Sequence, residues 1–172
     1  MAQDDIIAAL DIGSSKITCF IAQNDPLNGI RVLGIGHHAS GGVKAGNIID
    51  MDSAEGAIRA AVTGAEEMAE TTVRDITVNI SAGQMRSAMS DHKVPIGGAA
   101  ISDIDLNKLL LECRSFKDDD ESSLIHAIPV SFDVDGEAGI HDPRGLHGRE
   151  LGVRMHSVSV STAAIYNLAT CI

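Results

Sequence analysis

Basic residues are scarce in this sequence. Its 172 residues include 13 lysines and arginines against 24 aspartates and glutamates, so the formal net charge at pH 7 is -11. No stripe of lysine or arginine interrupts this balance. A surface of this sign repels a phosphate backbone, which a nucleic-acid-binding protein has to neutralise. We therefore expect no nucleic-acid partner.

Long hydrophobic runs are also missing. None approaches the roughly 18 to 20 apolar residues that span a bilayer, and the acidic start, Met1–Asp5, lacks the basic flank of a signal peptide. The three cysteines, Cys19, Cys113 and Cys171, are odd in number and widely spaced. This spacing fits reduced thiols in apolar positions better than a disulfide framework or a metal knuckle. Together these absences predict a cytosolic chain with free thiols.

The residues that are present can form a sizeable core. Apolar residues make up 44% of the chain and charged residues 22%, which predicts one globular domain or two small ones. In the first half, short apolar runs bounded by turn residues predict strands, and small apolar residues at helical spacing predict a helix with Asp52 and Glu55 as its capping pair. The predicted strands are 6–10, 17–22, 30–35 and 75–81, and the helix is 53–70.

A second unit is predicted from about Gln84. Ser102 and Asp105 form a capping signature for a helix whose apolar face extends to Phe116. Alternating apolar residues predict two strands after it, and a phase slip in the second of them suggests a bulge there. The order strand, helix, strand, strand indicates a small α+β module. The strand predictions are a weak one within 86–96 and two clearer ones at 128–134 and 151–160.

The segment best suited to chemistry lies between the first two predicted strands. Asp11 ends a strand, where its carboxylate can hold a hydrated magnesium ion. Gly13 lets the backbone approach a phosphate, the amides and hydroxyls of Ser14 and Ser15 can donate to its oxygens, and Lys16 adds a positive charge. The P-loop and dinucleotide fingerprints are both absent. The pattern indicates a hairpin phosphate loop, and an ordinary turn between strands has the same composition.

Five segments resemble the FtsA family of bacterial cell-division proteins, within the superfamily of actin, heat-shock chaperone ATPases and sugar kinases. They occur in the family's order across nearly the whole chain. They are AALDIGSSKITCFIA, GIGHHASGGVKAGNIID, DITVNISAG, HAIPVSFDVDG and GLHGRELGVRMHSVSVST. The resemblance implies an α/β fold, half of an actin-like (ribonuclease H-like) ATPase domain with an inserted α+β SHS2 subdomain. It places the incomplete subdomain 1A at 1–83 and 162–172, and subdomain 1C at 84–161.

The resemblance also implies a site, its cofactors and its partners. Asp11 belongs to the Mg²⁺ shell, through water, and Gly13, Ser14, Ser15 and Lys16 contact the phosphates of ATP. No residue is expected to be catalytic, and the ATPase activity of the family is at most weak. The full-length protein is expected to link the FtsZ ring to the cytoplasmic face of the inner membrane at the division site. It would recruit later division proteins and self-associate through the SHS2 subdomain.

The chain is expected to be an incomplete fragment. From Thr162 an apolar pattern begins a helix that the end at Ile172 cuts short. The family's second phosphate hairpin, adenosine-binding segment, FtsZ-binding surface and C-terminal amphipathic membrane helix have no counterpart in this sequence. Loss of the opposing phosphate and base contacts removes most of the binding free energy. We therefore expect this chain to bind ATP weakly or not at all.

Two other functions stay open at this point: a small-molecule kinase of the same superfamily, and a pilus-assembly scaffold with an FtsA-like fold. Three segments also admit a second interpretation. His37-His38 suggests a metal site, but without a third ligand we interpret it as a solvent-facing loop. Asp118–Glu121 lacks the twelve-residue calcium loop and is interpreted as solvated. The glycines from Gly34 to Gly46 either cradle a ligand or connect elements across the sheet edge.

Overall fold

The structure, a computed structural model, describes residues 5–81, 85–114 and 121–172. The chain divides into two compact units. Unit 1 comprises Met1–Gly83 with Ala163–Ile172, and unit 2 comprises Gln84–Thr162. The elements in chain order are β1 (Asp5–Ile12), β2 (Lys16–Asp25), β3 (Gly29–Ala39), β4 (Val43–Lys44), β5 (Asn47–Ile48), α1 (Met51–Ala69), β6 (Thr77–Val78), β7 (Arg86–Pro95), α2 (Asp103–Arg114), β8 (Ser122–Val134), β9 (Glu137–Ile140), β10 (Glu150–Ser161) and α3 (Thr162–Thr170).

Unit 1 is built on a four-stranded sheet with the order β3-β2-β1-β6. The first three strands are antiparallel, and β6 pairs with β1 in parallel. Alternate residues of β1 and β2, among them Leu10 and Cys19, point to the face that α1 covers and form a buried core with it. The strand predicted over 75–81 is shorter in the structure. Only Thr77–Val78 pair with β1, because the next amide of β1, that of Ile12, bonds to the side chain of Asn79.

Helix α1 begins earlier than its predicted capping pair requires. The N-cap is Asp50, whose carboxylate accepts hydrogen bonds from the backbone N–H of Ser53 at 3.2 Å and from its hydroxyl at 2.8 Å. Asp52 was the predicted cap, and that prediction is wrong, because Asp52 lies inside the first turn. The helix ends at Ala69, and Glu70 follows it in the left-handed conformation.

Glycine and alanine form the contact between α1 and β3. A Cβ atom on Gly36 would lie 1.9 Å from the carbonyl oxygen of Ala61, and one on Gly34 would lie 2.2 Å from that of Ala65. The helix therefore rests directly on the strand backbone. The strand predicted over 30–35 is longer in the structure, since β3 continues to Ala39, and a short hairpin, β4–β5, follows it.

Unit 2 has a four-stranded antiparallel sheet with the order β7-β10-β8-β9. Large apolar side chains of α2 pack on one face of this sheet, and Leu109 is fully buried there. The predicted capping signature is present at the start of α2: Asp105 accepts from the backbone N–H of Ser102 at 2.9 Å and from its hydroxyl at 2.7 Å. Phe116, predicted on the apolar face, lies outside the described residues.

The bulge of unit 2 is on a different strand from the predicted one. β10 pairs with β7 without interruption, whereas its pairing with β8 shifts after Arg154 and after Val158. The unpaired residues are Ile125 and Val130, so the extra length belongs to β8. Strand β9 was not predicted. Within the ranges that the structure describes, no helix is long and apolar enough to cross a membrane.

Candidate functional site

The predicted phosphate loop is a tight hairpin. β1 and β2 pair as far as Ile12 and Ile17, and the backbone N–H of Gly13 donates to the carbonyl of Lys16 at 3.1 Å. A Cβ atom on Gly13 would lie 3.0 Å from that carbonyl oxygen. Glycine therefore keeps the turn closed, and Ser14 and Ser15 form its exposed tip.

The chemical groups of the hairpin share one face of the sheet. Asp11 lies directly opposite Thr18, and Lys16 precedes Thr18 by two residues, so all three point away from α1. His37 of β3 lies opposite Thr18 on the same face. Asp11, Lys16 and His37 are exposed, whereas Thr18 is buried between its neighbours. The result is a polar row at the turn end of the sheet.

The hairpin tip is held by the loop that follows β3. The hydroxyl oxygen of Ser14 accepts a hydrogen bond from the N–H of Gly46 at 3.1 Å, and the carbonyl of Ser15 accepts from the N–H of Ser40 at 3.0 Å. The hydroxyl of Ser40 is buried and has no partner among the described residues. Gly46 belongs to the turn of the β4–β5 hairpin, so two backbone N–H groups of the segment after β3 hold the tip.

The tip still has donors available. In the described part of the chain, the backbone N–H groups of Ser14 and Ser15 donate to no acceptor. Successive free amides in a turn make an anion-binding concavity. Ser14 accepts through its hydroxyl oxygen and can still donate its proton. Lys16 adds an ammonium group that has no carboxylate within 4.0 Å among those same residues.

Asn79 is a residue of this site that was not predicted. Its Nδ2 donates to Oδ1 of Asp11 at 2.7 Å, and its Oδ1 accepts from the N–H of Ile12 at 2.8 Å. Asn79 lies inside the strand predicted over 75–81, so the sequence pattern assigned it to regular pairing. In the structure β6 ends at Val78, and Asn79 directly follows it.

The donor set fits a polyphosphate with its magnesium ion. Within residues 5–81, 85–114 and 121–172, no group of three or more His, Cys, Asp or Glu side chains is placed to hold a metal ion. Mg²⁺ often keeps several waters and uses one carboxylate together with substrate phosphates. Asp11 offers that single carboxylate, beside the amides, hydroxyls and ammonium of the tip.

The other predicted features have plainer positions. His37 and His38 lie in β3, so the interpretation as a loop is wrong. Of the acidic segment, residues 118–120 lie outside the described residues. The three cysteines are buried free thiols, as predicted, and burial raises the pKa of each. Gly34 and Gly36 pack under α1, whereas Gly46 contacts the hairpin tip.

A separate cavity of about 950 Å³ opens at the other end of β1. Its lining includes Ile6, Arg59, Glu66, Arg74 and Ile172, and none of the predicted site residues. Arg59 is paired with Glu55 there. Cavity volume alone therefore does not identify the hairpin as the candidate site. Its hydrogen-bond donors do.

Comparisons with known proteins agree with this fold. The sequence profile described as the SHS2 domain inserted in FTSA matches residues 82–159. Curated proteins named cell division protein FtsA match nearly the whole chain: the one from Agrobacterium fabrum is 37% identical and that from Neisseria meningitidis serogroup B is 28% identical, and the alignments cover 97% and 99% of this chain. They cover only 40% and 41% of those relatives, so the chain spans about two fifths of their length.

A solved structure has a similar fold. The structure titled PilM-PilN type IV pilus biogenesis complex aligns with 96% of this chain and 43% of its own, with a TM-score of 0.56. At 13% sequence identity this likeness shows the fold and nothing about function. With the matched SHS2 domain, it confirms the expected architecture, half of an actin-like ATPase domain with an inserted SHS2 subdomain.

Proposed function

We propose, because this chain is an FtsA relative along 97% of its length, that it is part of a cell-division scaffold whose β1–β2 hairpin binds the phosphates of ATP. One observation supports the nucleotide site above the others. The hairpin tip is anchored by Gly46 and Ser40, yet its own amides and Lys16 have no acceptor or counter-ion in the described part of the chain. An anchored set of unused donors is preorganised for an anion.

Each residue of the hairpin has a role in this proposal. The amides of Ser14 and Ser15 and the hydroxyl of Ser14 donate to phosphate oxygens, and Gly13 allows the close approach. Lys16 compensates negative charge. Asp11 accepts hydrogen bonds from the water shell of Mg²⁺, which neutralises charge on the phosphates when it is bound. In this proposal, nucleotide serves as an assembly signal rather than as a rapidly consumed substrate.

The two units have separate roles in the proposal. Unit 1 corresponds to subdomain 1A and carries the nucleotide hairpin. Unit 2 corresponds to the SHS2 subdomain 1C, which we assign to self-association and to contacts with other division proteins. Binding of FtsZ and attachment to the cytoplasmic face of the membrane are assigned to the longer protein, since this chain spans about two fifths of its relatives.

The nucleotide proposal is tested by NMR on the ¹⁵N-labelled chain. Millimolar ATP with Mg²⁺ is expected to shift the amide signals of residues 13–16. Asp11→Ala and Lys16→Ala should each weaken binding about tenfold, the effect of losing one charge-assisted contact of about 1.4 kcal/mol. Lys44→Ala, which removes an exposed lysine of β4, is the matched control and should leave binding unchanged.

Two results would contradict the proposal. Absence of any shift in residues 13–16 at millimolar ATP would exclude the hairpin as a phosphate site. A submicromolar Kd by calorimetry would contradict the expectation of weak binding, because one hairpin supplies only part of the contacts of a nucleotide clamp. Equal affinities for ATP and inorganic tripolyphosphate are expected, since the described hairpin residues offer contacts to phosphates.

A further inference from the structure

The side chain of Asn79 replaces the next step of the β1–β6 ladder. The ladder ends where Val78 pairs with Leu10. Beyond it, the backbone N–H of Asn79 donates to the carbonyl of Leu10 at 3.3 Å, and its side-chain amide contacts Ile12 and Asp11. One residue therefore joins the end of the strand to the carboxylate of the site.

The Ile12 contact determines which way this amide points. An asparagine side chain has an acceptor oxygen and a donor nitrogen. If the amide of Asn79 rotated by 180°, its nitrogen would face the N–H of Ile12 and its oxygen would face the carboxylate of Asp11, and both contacts would be repulsive. The donor is thus directed at Asp11. Oδ1 of Asp11 accepts this bond, and its Oδ2 accepts none from the residues that the structure describes.

We propose that Asn79 is a positioning residue, which holds one oxygen of Asp11 and leaves the other for the water shell of Mg²⁺. The inference rests on the proposed function, because it requires that the hairpin binds a polyphosphate with its metal ion. Asn79 acts only through Asp11 and contacts neither phosphate nor metal. Hydrogen bonds that orient a metal-associated carboxylate commonly change metal affinity about tenfold or more when they are lost.

The test measures ATP affinity twice for each protein, with Mg²⁺ and with EDTA, by the NMR shifts of residues 13–16. The ratio of the two Kd values is the Mg²⁺ enhancement. Asn79→Ala should lower this enhancement by about tenfold and leave the affinity in EDTA unchanged, because the phosphate contacts do not involve Asn79. In an Asp11→Ala background, the same substitution should have no effect on the enhancement, since the residue it positions is gone.

A matched control is available in the turn between β2 and β3. Asn28 donates from Nδ2 to the carboxylate of Asp25 at the far end of β2, so Asn28→Ala removes a similar bond away from the site. It should leave the enhancement unchanged.

A second measurement does not depend on a variant that folds. In the wild-type chain, exchange of the Asn79 side-chain amide protons should slow when ATP binds with Mg²⁺ and should stay the same when ATP is added with EDTA. Equal exchange in the two conditions would overturn the positioning role.

The outcomes separate the two proposals. If the wild-type chain shows no shift in residues 13–16 with or without Mg²⁺, the phosphate site fails and the inference fails with it. If the wild type shows an enhancement that Asn79→Ala retains, only the positioning role is overturned. The same holds if Asn79→Ala lowers the enhancement equally in the Asp11→Ala background, because Asn79 would then act independently of Asp11.

Discussion

The sheets of the two units differ in what their charged residues contact. On the sheet of unit 2, Lys93 of β7 and Arg154 of β10 each pair with a carboxylate of the neighbouring strand. In unit 1, Asp11 and Lys16 share a face and, within the described ranges, have no opposite charge within 4.0 Å. Both sets are exposed to solvent, so exposure does not distinguish them, and only the unpaired set is available to a ligand. The pairs on the sheet of unit 2 are Lys93 with Glu150 at 2.7 Å and Arg154 with Asp91 at 2.9 Å.

The two units also differ in how the helix packs on the sheet. α1 lies on the backbone of β3 through glycine and alanine, whereas α2 packs through large side chains such as Leu106 and Leu109. A backbone contact has no rotamers through which it can relax, and a side-chain contact has several. Unit 1 is therefore the more rigid support, which suits a preorganised binding hairpin.

The largest expected effect compares two glycines with the same overlap. A Cβ atom would lie 1.9 Å from the carbonyl oxygen of Ala61 at Gly36, and 1.9 Å from the carboxylate of Asp133 at Gly152. Gly36→Ala should destabilise unit 1 by about 3 kcal/mol, because backbone must move. Gly152→Ala should cost about 1 kcal/mol or less, because a side chain can rotate away. Hydrogen exchange in each unit measures both changes.

The control for the glycine comparison is Gly56, in the first half of α1. A Cβ atom there has no neighbour within 4 Å. Gly56→Ala should stabilise unit 1 by about 0.5 to 1 kcal/mol, from helix propensity alone. Equal costs for Gly36→Ala and Gly152→Ala would show that the helix of unit 1 can shift, and the proposed difference in rigidity would be wrong.

Local patterns predicted the elements of this fold better than their ends. Alternation and helical spacing identified the helices and main strands, and Ser102 with Asp105 identified the start of α2. The wrong cap of α1 has a local cause: Asp50 and Asp52 are both capping residue types, and only the structure shows which one bonds to Ser53. The β8 irregularities depend on register between strands, which one strand's sequence does not contain.

The site was predicted only where its residues are adjacent in sequence. Residues 11–16 form one continuous segment, so the hairpin and its donors were visible in the sequence, and their roles as ATP contacts stay a proposal. Asn79 contacts Asp11 across 68 positions, and Gly46 contacts Ser14 across 32. Contacts of that range depend on tertiary structure, and the resemblance to a family did not supply them.

Acid should affect unit 2 more than unit 1. Hydrogen bonds to the charged form lower the pKa of four described aspartates in unit 2 and of two in unit 1. A carboxyl with a lowered pKa stabilises the folded state fully above its unfolded pKa, about 4, and this contribution is lost as the pH falls through the folded pKa. The aspartates with a lowered pKa are Asp91, Asp105, Asp135 and Asp142 in unit 2, and Asp25 and Asp50 in unit 1.

Hydrogen exchange between pH 5 and pH 3 should therefore show unit 2 losing protection first. Asp135→Asn should bring the pH at which unit 2 loses protection closer to that of unit 1. The reason is that Asp135 accepts hydrogen bonds from the N–H groups of Arg149 and Glu150, and these bonds lower its pKa. The matched change for unit 1 is Asp50→Asn, which should reduce the pH dependence of hydrogen-exchange protection in unit 1 only. Simultaneous loss of protection would contradict the prediction.

The smallest expected effect compares two turns with the same backbone. Ala45-Gly46 joins β4 and β5, and Asp135-Gly136 joins β8 and β9; both residues of each turn have positive φ, 49° and 78° in the first and 50° and 90° in the second. Asn-Gly and Asp-Gly suit this conformation, and alanine does not. Ala45→Asn should therefore stabilise unit 1 by about 0.5 kcal/mol, measured by hydrogen exchange.

The matched change in unit 2 is Asp135→Ala, which should destabilise that unit because it also removes the bonds to Arg149 and Glu150. The turn in unit 1 bears on the site, since the N–H of Gly46 donates to Ser14 at the hairpin tip. A stiffer β4–β5 turn should hold that donor in place more of the time, so Ala45→Asn should strengthen or preserve ATP binding. If the substitution stabilised unit 1 and weakened ATP binding, the tip would have to move to bind phosphate, and rigidity would no longer explain why unit 1 carries the site.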